Sequence, residues 1–460
     1  MVNLVDCSVD EVRGVRDKSG AFLGILSPSG DVEGIGVSVA GPLNKFSALG
    51  DSRTQDIFVA SPHIGKSSRS WLVWAMAYYK QSFSIVEGYG VSGYRSDQYL
   101  TNGAFELALA DGSGTLVFGF PVINDIAQST AGYTDTYGTA ITTANVVDQA
   151  ILRIVVKINA AVAAGKSVIV LAEPGGTSLV AAQVALVHEF NRKYRDAIAA
   201  IKNVYWWNFN RIIWNATSST TLIAFKANYS GDGTHMQQMA GRAMGKDFAA
   251  NFLPSYIQKI DTANDNLSAQ ISNAVGQIYA NPLLNVLTGG VTGSNITITS
   301  GTVPGSMTVA GSVAGALFVV ITSAANADEL GNDVTFAFTA SAATTAKLDF
   351  TIPNAANLAL TDFLECGVEY DVGAGSAANI YSENQMNSNS GTANAYDMYS
   401  VSSGPTSGLA DSGVVIRSAR ASFLAGSASI GYQLFRLNLA FPASGTATIT
   451  VRRPFINRYR

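Results

Sequence analysis

Three short segments, Gly50-Asp51-Ser52, Asn124-Asp125 and Asp232-Gly233-Thr234-His235, together hold the residue types that acyl transfer requires. A serine hydroxyl is a weak nucleophile until an imidazole takes its proton. The imidazole needs a carboxylate to fix its tautomer and to stabilise it once charged. Ser52, His235 and Asp232 can fill those three roles. Attack on an ester then puts negative charge on the former carbonyl oxygen, which needs hydrogen-bond donors already aimed at it. The backbone N–H groups of Ser52 and Gly93 and the side-chain amide of Asn124 are the candidates. The set predicts serine-dependent ester hydrolysis without a metal or cofactor.

Position, more than residue type, carries this reading, because Gly-Asp-Ser is also an ordinary turn tripeptide. Residues 45–49 read as a short buried strand, which puts Ser52 at a strand's carboxyl end, where open α/β sheets place their sites. Of the three histidines, only His235 has an acid three residues before it; His63 and His188 have Ala60 and Ala185 there. Asp232-Gly233 is a turn dipeptide, and Thr234 with Gln237 fits a capping box. Met236, Met239, Ala240, Ala243, Met244 and Phe248 then recur at helical spacing. The expectation is that His235 sits on a helix's first turn, with Asp232 just outside it and folded back towards Nδ1.

The blocks Ala48-Leu49-Gly50-Asp51-Ser52-Arg53, Gly90-Val91-Ser92-Gly93, Val122-Ile123-Asn124-Asp125 and Asp232-Gly233-Thr234-His235 occur in that order. As a set they resemble the SGNH hydrolases, also called GDSL esterases, over roughly residues 45 to 250. The resemblance implies the nucleophile, oxyanion and base roles assigned above. One position departs from the family pattern: the glycine usual two residues before the asparagine is Val122.

The elements needed to position these residues are legible. Residues 70–78 read as a buried helix, 82–86 as a strand, 115–119 as a strand ending near Asn124, and 146–164 as a helix. A strand at 167–172, an amphipathic helix from about 178 to 201 and a strand at 204–207 follow. Strands alternating with helices predict a parallel sheet covered on both faces. The candidates would then share one edge of a flavodoxin-like α/β domain. No Gly-x-Ser-x-Gly elbow occurs, which disfavours the standard α/β-hydrolase variant.

Beyond about residue 285 the composition changes. Runs at 295–299, 316–321, 333–338, 347–352, 414–417, 432–439 and 446–451 are strand-like and separated by Gly, Ser, Asn and Pro. They predict an all-β sandwich, jelly-roll-like. This part is similar to carbohydrate-binding sandwich modules. Tyr381, Tyr396 and Tyr399 fall in a polar stretch between strands, where they could stack on sugar rings or pack under their own loop. Between the halves, Ile257, Ile260, Asn264, Leu267, Ile271, Ala274 and Ile278 alternate spacings of three and four. That is a heptad seam with one polar position, or an amphipathic helix lying on the hydrolase domain. The chain therefore divides into a lead segment at 1–44, a hydrolase domain at 45–254, a helical connector at 255–284 and a β-sandwich at 285–460.

Composition excludes several classes. In 460 residues, 47% hydrophobic content supports proper cores, while the charged share of 13% is about half the usual one. A net charge of −4 and three histidines offer neither the basic patch of a nucleic-acid binder nor an obvious metal cluster. Cys7 and Cys366 imply no disulfide framework. Asp6, Asp10, Glu11 and Asp17 near the start are foreign to a secretory signal, and no apolar run is long enough to span a membrane.

An esterase with a sandwich module and no export signal resembles phage tailspikes that carry an SGNH domain. The resemblance implies synthesis in the host cytoplasm and assembly with other phage tail proteins into the virion. It also implies removal of O-acetyl groups from bacterial capsule or lipopolysaccharide, with residues 1–44 as the attachment segment. A homotrimer is the expected assembly, helped by the 257–278 seam. Two other readings use the same residues: a virion protein that binds glycan without turnover, and a cytoplasmic bacterial esterase acting on small esters.

Overall fold

Runs that are apolar at almost every position suit strands buried on both faces, and such runs build the centre of a parallel sheet. The computed structural model describes residues 42–59, 64–67, 69–259, 276–326, 331–352, 358–374, 378–399, 411–418 and 421–459. Before them it describes the backbone of four strands, β1 (Asn3–Asp6), β2 (Arg13–Arg16), β3 (Phe22–Leu26) and β4 (Val32–Gly34), paired consecutively and antiparallel. The rest of the lead segment up to residue 41, where the attachment role was expected, lies outside the described residues.

The hydrolase half is built on β5 (Lys45–Gly50), β8 (Ser84–Gly90), β9 (Thr115–Gly119), β12 (Ser167–Leu171) and β13 (Val204–Trp207). All neighbours are parallel, in the order β13-β12-β9-β5-β8. Counted along the chain that order is 2-1-3-4-5, the flavodoxin-like winding, which reverses direction between β5 and β9. Helices α1 (Ser52–Gln55), α2 (Trp71–Tyr78), α3 (Ser96–Tyr99), α4 (Ala104–Ala110), α5 (Ile123–Ser129), α6 (Val146–Ala163), α7 (Ala181–Ile198), α8 (Asn210–Ile213) and α9 (Gln238–Asp247) surround it. A small ribbon pairs β10 (Tyr133–Thr134) with β11 (Ala140–Ile141).

Side chains alternate across a strand, so each strand feeds two cores. Leu49, Phe118, Val168 and Val170 pack with Ile154 and Phe190 of α6 and α7 on one face. Phe46, Val117, Ile169 and Leu171 belong to a second cluster with Trp71 and Trp74 of α2 and Met244 of α9. That cluster continues without a break into the sandwich through Val414, Ile416 and Tyr370. Helix α2 is buried nearly all round for this reason: it lies between a sheet and a second domain.

The sandwich has two sheets. One runs β16 (Thr297–Ser300), β18 (Leu317–Ala325), β19 (Asn332–Ala340), β26 (Gly445–Tyr459), β21 (Phe363–Val372) and β24 (Asp411–Arg417), with β14 (Gly276–Gln277) also on β26. The other runs β15 (Val291–Thr292), β17 (Met307–Gly311), β20 (Thr344–Thr351), β25 (Ile430–Phe441), β22 (Asn379–Ser388) and β23 (Gly391–Tyr399). It ends on two strands from the hydrolase half, β7 (Ile64–Ser67) and β6 (Phe58–Val59), with β7 parallel to β23.

Several expectations need correction. The segment just after Ser52 joins the sandwich sheet through β6 and β7, so the halves interlock rather than follow one another. Most of the 257–278 seam, from 260 to 275, lies outside the described residues, but its end is not helical: Gly276–Gln277 is a strand on β26. Tyr381 lies within β22 and Tyr396 and Tyr399 within β23, not in a stretch between strands. β8 starts at Ser84 rather than at 82, because Lys80 and Gln81 take positive φ and the Ser82 hydroxyl donates to the Tyr79 carbonyl, closing a turn after α2. α7 starts at Ala181, where Gln183 Oε1 accepts the Val180 N–H.

Candidate active site

Ser52 is the first residue of α1, directly beyond the carboxyl end of β5. Two glycines allow that turn to sit so deep. A Cβ on Gly50 would lie 2.1 Å from the Gly119 carbonyl oxygen, and one on Gly90 would lie 2.1 Å from the Gln55 nitrogen. Asp51 caps the helix by accepting the Arg53 N–H at 2.9 Å.

His235 reaches Ser52 from the other side. Its Nε2 is 2.8 Å from Ser52 Oγ, and its Nδ1 is 2.6 Å from Asp232 Oδ2. Asp232 Oδ1 accepts the backbone N–H groups of Thr234 at 2.9 Å and His235 at 2.8 Å. Partial burial pushes the Asp232 carboxyl up, but these backbone bonds and the imidazole outweigh it and hold the group well below the usual carboxylate range. Asp232 is thus ionised and fixes which ring nitrogen carries the proton.

The helical placement expected for His235 is not observed. α9 begins at Gln238, and residues 229–237 form a narrow hairpin closed by a Ser230–Met236 bridge and by the Gln237 N–H donating to the Tyr229 carbonyl at 2.9 Å. The Met236 and Gln237 backbones that a Thr234 cap would have placed in a first helical turn instead pair back onto Ser230 and Tyr229, which delays the helix to Gln238.

The oxyanion candidates follow adjacent strands. Ser52 follows β5, Gly93 follows β8 and Asn124 lies in the first turn of α5 after β9. Ser52 and Asn124 therefore flank the point where the winding reverses, the usual ligand site of such sheets. Among the described residues, the N–H groups of Ser52 and Gly93 have no acceptor, and Gly93 is held at φ +76°. Asn124 Nδ2 donates one proton to the Tyr94 carbonyl at 2.8 Å, which orients the amide and leaves its second proton. Val122 stands where the family has glycine without strain, since its φ is −145°.

Four residues of the site escaped the sequence reading. Arg53 is buried between two carboxylates: Asp51 at 2.6 Å and Glu173 at 2.8 Å. Glu173, just beyond β12, also accepts the N–H groups of Val122 at 3.1 Å and Gly175 at 2.8 Å. Burial raises the Asp51 carboxyl against the pull of Arg53, while the two carboxylates keep Arg53 protonated in spite of its own burial. A lone acid ending an apolar strand, Glu173 before Pro174-Gly175-Gly176, was the available signal.

Asp56 and Arg69 complete the wall. With Ser52, Ser92, Asp232 and His235 they line an open cleft of about 420 Å³. Burial raises the Asp56 carboxyl, opposed by Arg69 and His235. Arg69 Nε is buried with no hydrogen-bond partner among the described residues. The arrangement can activate a hydroxyl, receive its proton and stabilise an oxyanion, with room for a bulky group in front.

No protein-family model and no curated protein sequence matches the chain. Among solved structures it is similar to a GDSL-like lipase from Bacteroides thetaiotaomicron VPI-5482, at 18% identity, covering 46% of this chain and 90% of that one, with a TM-score of 0.31. It is similar to an acetyl xylan esterase, AlAXEase, at 13% identity over 45% of this chain and 100% of that one, with a TM-score of 0.35. It is also similar to a structure of carbohydrate-binding modules from the β-sandwich superfamily, at 13% identity over 34% of this chain and 57% of that one, with a TM-score of 0.23. At such identities and scores these likenesses carry no argument about chemistry, which rests on the side chains described above.

Proposed function

We propose that this chain is a serine esterase of the SGNH type that removes O-acetyl groups from a bacterial surface polysaccharide, as part of a phage tail. The observation that carries the esterase reading is the relay Ser52 Oγ to His235 Nε2 at 2.8 Å and His235 Nδ1 to Asp232 at 2.6 Å. In this reading His235 takes the Ser52 proton as Oγ bonds to the ester carbon, and the oxyanion is met by Ser52 N–H, Gly93 N–H and Asn124 Nδ2. Collapse breaks the bond to the sugar oxygen, which leaves with the proton from His235. Water then adds to the acyl-serine, giving its proton to His235, and acetate departs as Ser52 is restored.

The openness of the site supports a polymer substrate. The Asp232 and His235 side chains are 57% and 35% exposed. A cleft of that shape suits a short acyl group on a large alcohol better than a long acyl chain in a tunnel. The low-charge, Gly-rich sandwich supports a place in a virion, and a homotrimer would multiply weak sugar contacts.

The test is release of acetate from intact capsule or lipopolysaccharide, read by NMR of the treated polymer, with light scattering for the oligomer and proteomics of purified particles for the location. Loss of acetyl signals with no change in polymer length is the expected result. A polymer that shortens while keeping its acetyl groups overturns the substrate. A monomer overturns the assembly.

A further inference from the structure

A second cleft, of 510 Å³, is tied to the ester pocket by the 229–237 hairpin: Tyr229 lines the second cleft, while Asp232, His235 and Gln237 line the first. The Gln237 N–H donates to the Tyr229 carbonyl at 2.9 Å, so one closed hairpin contributes to both walls. Helix α9, which begins three residues beyond His235, supplies Arg242 and Lys246 to the cleft, and β24 of the sandwich supplies Asp411. Those two cations stand roughly 6 and 12 Å along α9 from its first residue.

The charge of this cleft is opposite to that of the chain. The whole protein carries −4, yet here Arg211, Lys226, Arg242 and Lys246 face only Asp247 and Asp411. Asp411 is already committed: it pairs with buried Arg242 and accepts Lys246 Nζ at 3.1 Å. Asp247 accepts from Arg211 at 2.9 Å and from Asn251 at 2.8 Å. The Arg211 and Lys246 side chains remain 67% and 53% exposed, and Lys226 is exposed with Nζ 5.8 Å from the Tyr229 ring centroid. Burial, and after it the neighbouring Arg242 charge, lower the Lys246 ammonium. A concave site with excess positive charge concentrates anions, and Arg and Lys bind carboxylates through short charge-assisted bonds. Tyr229 beside Lys226 adds an aromatic face for a sugar ring.

We infer that this cleft binds a carboxylate-bearing sugar of the same polymer whose O-acetyl ester reaches Ser52, which makes the preferred substrate an acidic polysaccharide. The inference rests on the esterase reading for its link to turnover, but not for binding. The sandwich thereby helps form the substrate groove, since Asp411 sets the positions of Arg242 and Lys246.

The experiment uses the full chain with Ser52→Ala, so that binding is read without hydrolysis. Calorimetry compares polygalacturonate with dextran of matched length, in this protein and with Lys226→Gln and Lys246→Gln added. A preference for the uronate polymer of about tenfold or more, weakened by salt and lost in the double variant, is expected. With Ser52 intact, the ratio of kcat/KM on acetylated polygalacturonate to that on acetylated xylan should fall about tenfold in the same double variant. Equal binding of the two polymers, or indifference to the lysines, overturns the inference. Single-stranded DNA of matched charge binding as tightly overturns the sugar assignment. An inactive wild type that still binds polygalacturonate through the lysines overturns the esterase reading alone. Lys226→Glu serves as a second variant, expected to repel the polymer.

Discussion

Arg53 and Glu173 meet in a doubly hydrogen-bonded ion pair, Nη1 to Oε1 at 2.8 Å and Nη2 to Oε2 at 3.1 Å, both side chains fully buried. One is the residue after the nucleophile. The other lies just beyond β12, two places away in the sheet. Because the same carboxylate holds the Val122 N–H at 3.1 Å, Glu173 ties the Ser52 turn to the helix that carries Asn124.

Glu173→Gln therefore should act as a positioning defect. The amide cannot accept all four donors now aimed at the carboxylate, so the Asn124 block should drift from the serine. On an aryl acetate, kcat should fall about tenfold to a hundredfold with KM little changed, and stability should drop by about 3 kcal/mol as a buried pair is broken. An unchanged kcat in a folded variant would show that the network serves stability only.

Ser52→Ala and His235→Ala should each lower aryl acetate turnover by at least about a thousandfold, because the two act as a unit. Asp232→Asn should leave more residual activity, since the aspartate orients the imidazole and takes no proton. Clean preparations of Ser52→Ala that retain turnover would remove the nucleophile assignment.

Asn124→Ala should lower kcat by roughly 10²- to 10³-fold, the usual worth of one preorganised oxyanion donor. Circular dichroism should stay native, because only the bond to the Tyr94 carbonyl is lost from the fold. Unfolding instead would mean that the amide's task is to hold the 91–95 loop.

Asp125, next to Asn124, provides a pH signature. Burial raises its carboxyl from 3.8 to about 6, against the hydrogen bonds from Ser96 N–H and Oγ. The folded chain then holds a proton between those values that the unfolded chain has lost. Its contribution to stability is thus fully present below 3.8 and is lost as pH rises through about 6. Carboxyl-carbon NMR should show one aspartate titrating near 6 that is absent in Asp125→Asn; a midpoint below 5 would remove the assignment.

What could be read from the chain alone was local or periodic. β9 and β12 were legible because every residue in them is buried, and α6 because its apolar stripe recurs at helical spacing. Asp232 and His235 could be paired because they lie three apart, and Ser52 was singled out because it follows a strand; that His235 meets Ser52, 183 residues away, is settled by the folded chain. One misreading arose where backbone pairing overrode a capping pattern: Met236 and Gln237 pair back onto Ser230 and Tyr229, so the expected helix start at His235 is a hairpin.

Long-range matters needed the folded chain. Arg53 and Glu173 are separated by 120 residues, and nothing in their neighbourhoods specifies the pairing; the winding of the sheet does. The same holds for β7 joining β23 across the two halves, and for Asp411 closing a cleft begun by α9. Periodicity tells a segment which face to bury, since burial depends on its own pattern. Which partner covers that face depends on the packing of the whole chain, and that packing set Arg53 against Glu173 and laid β7 on β23.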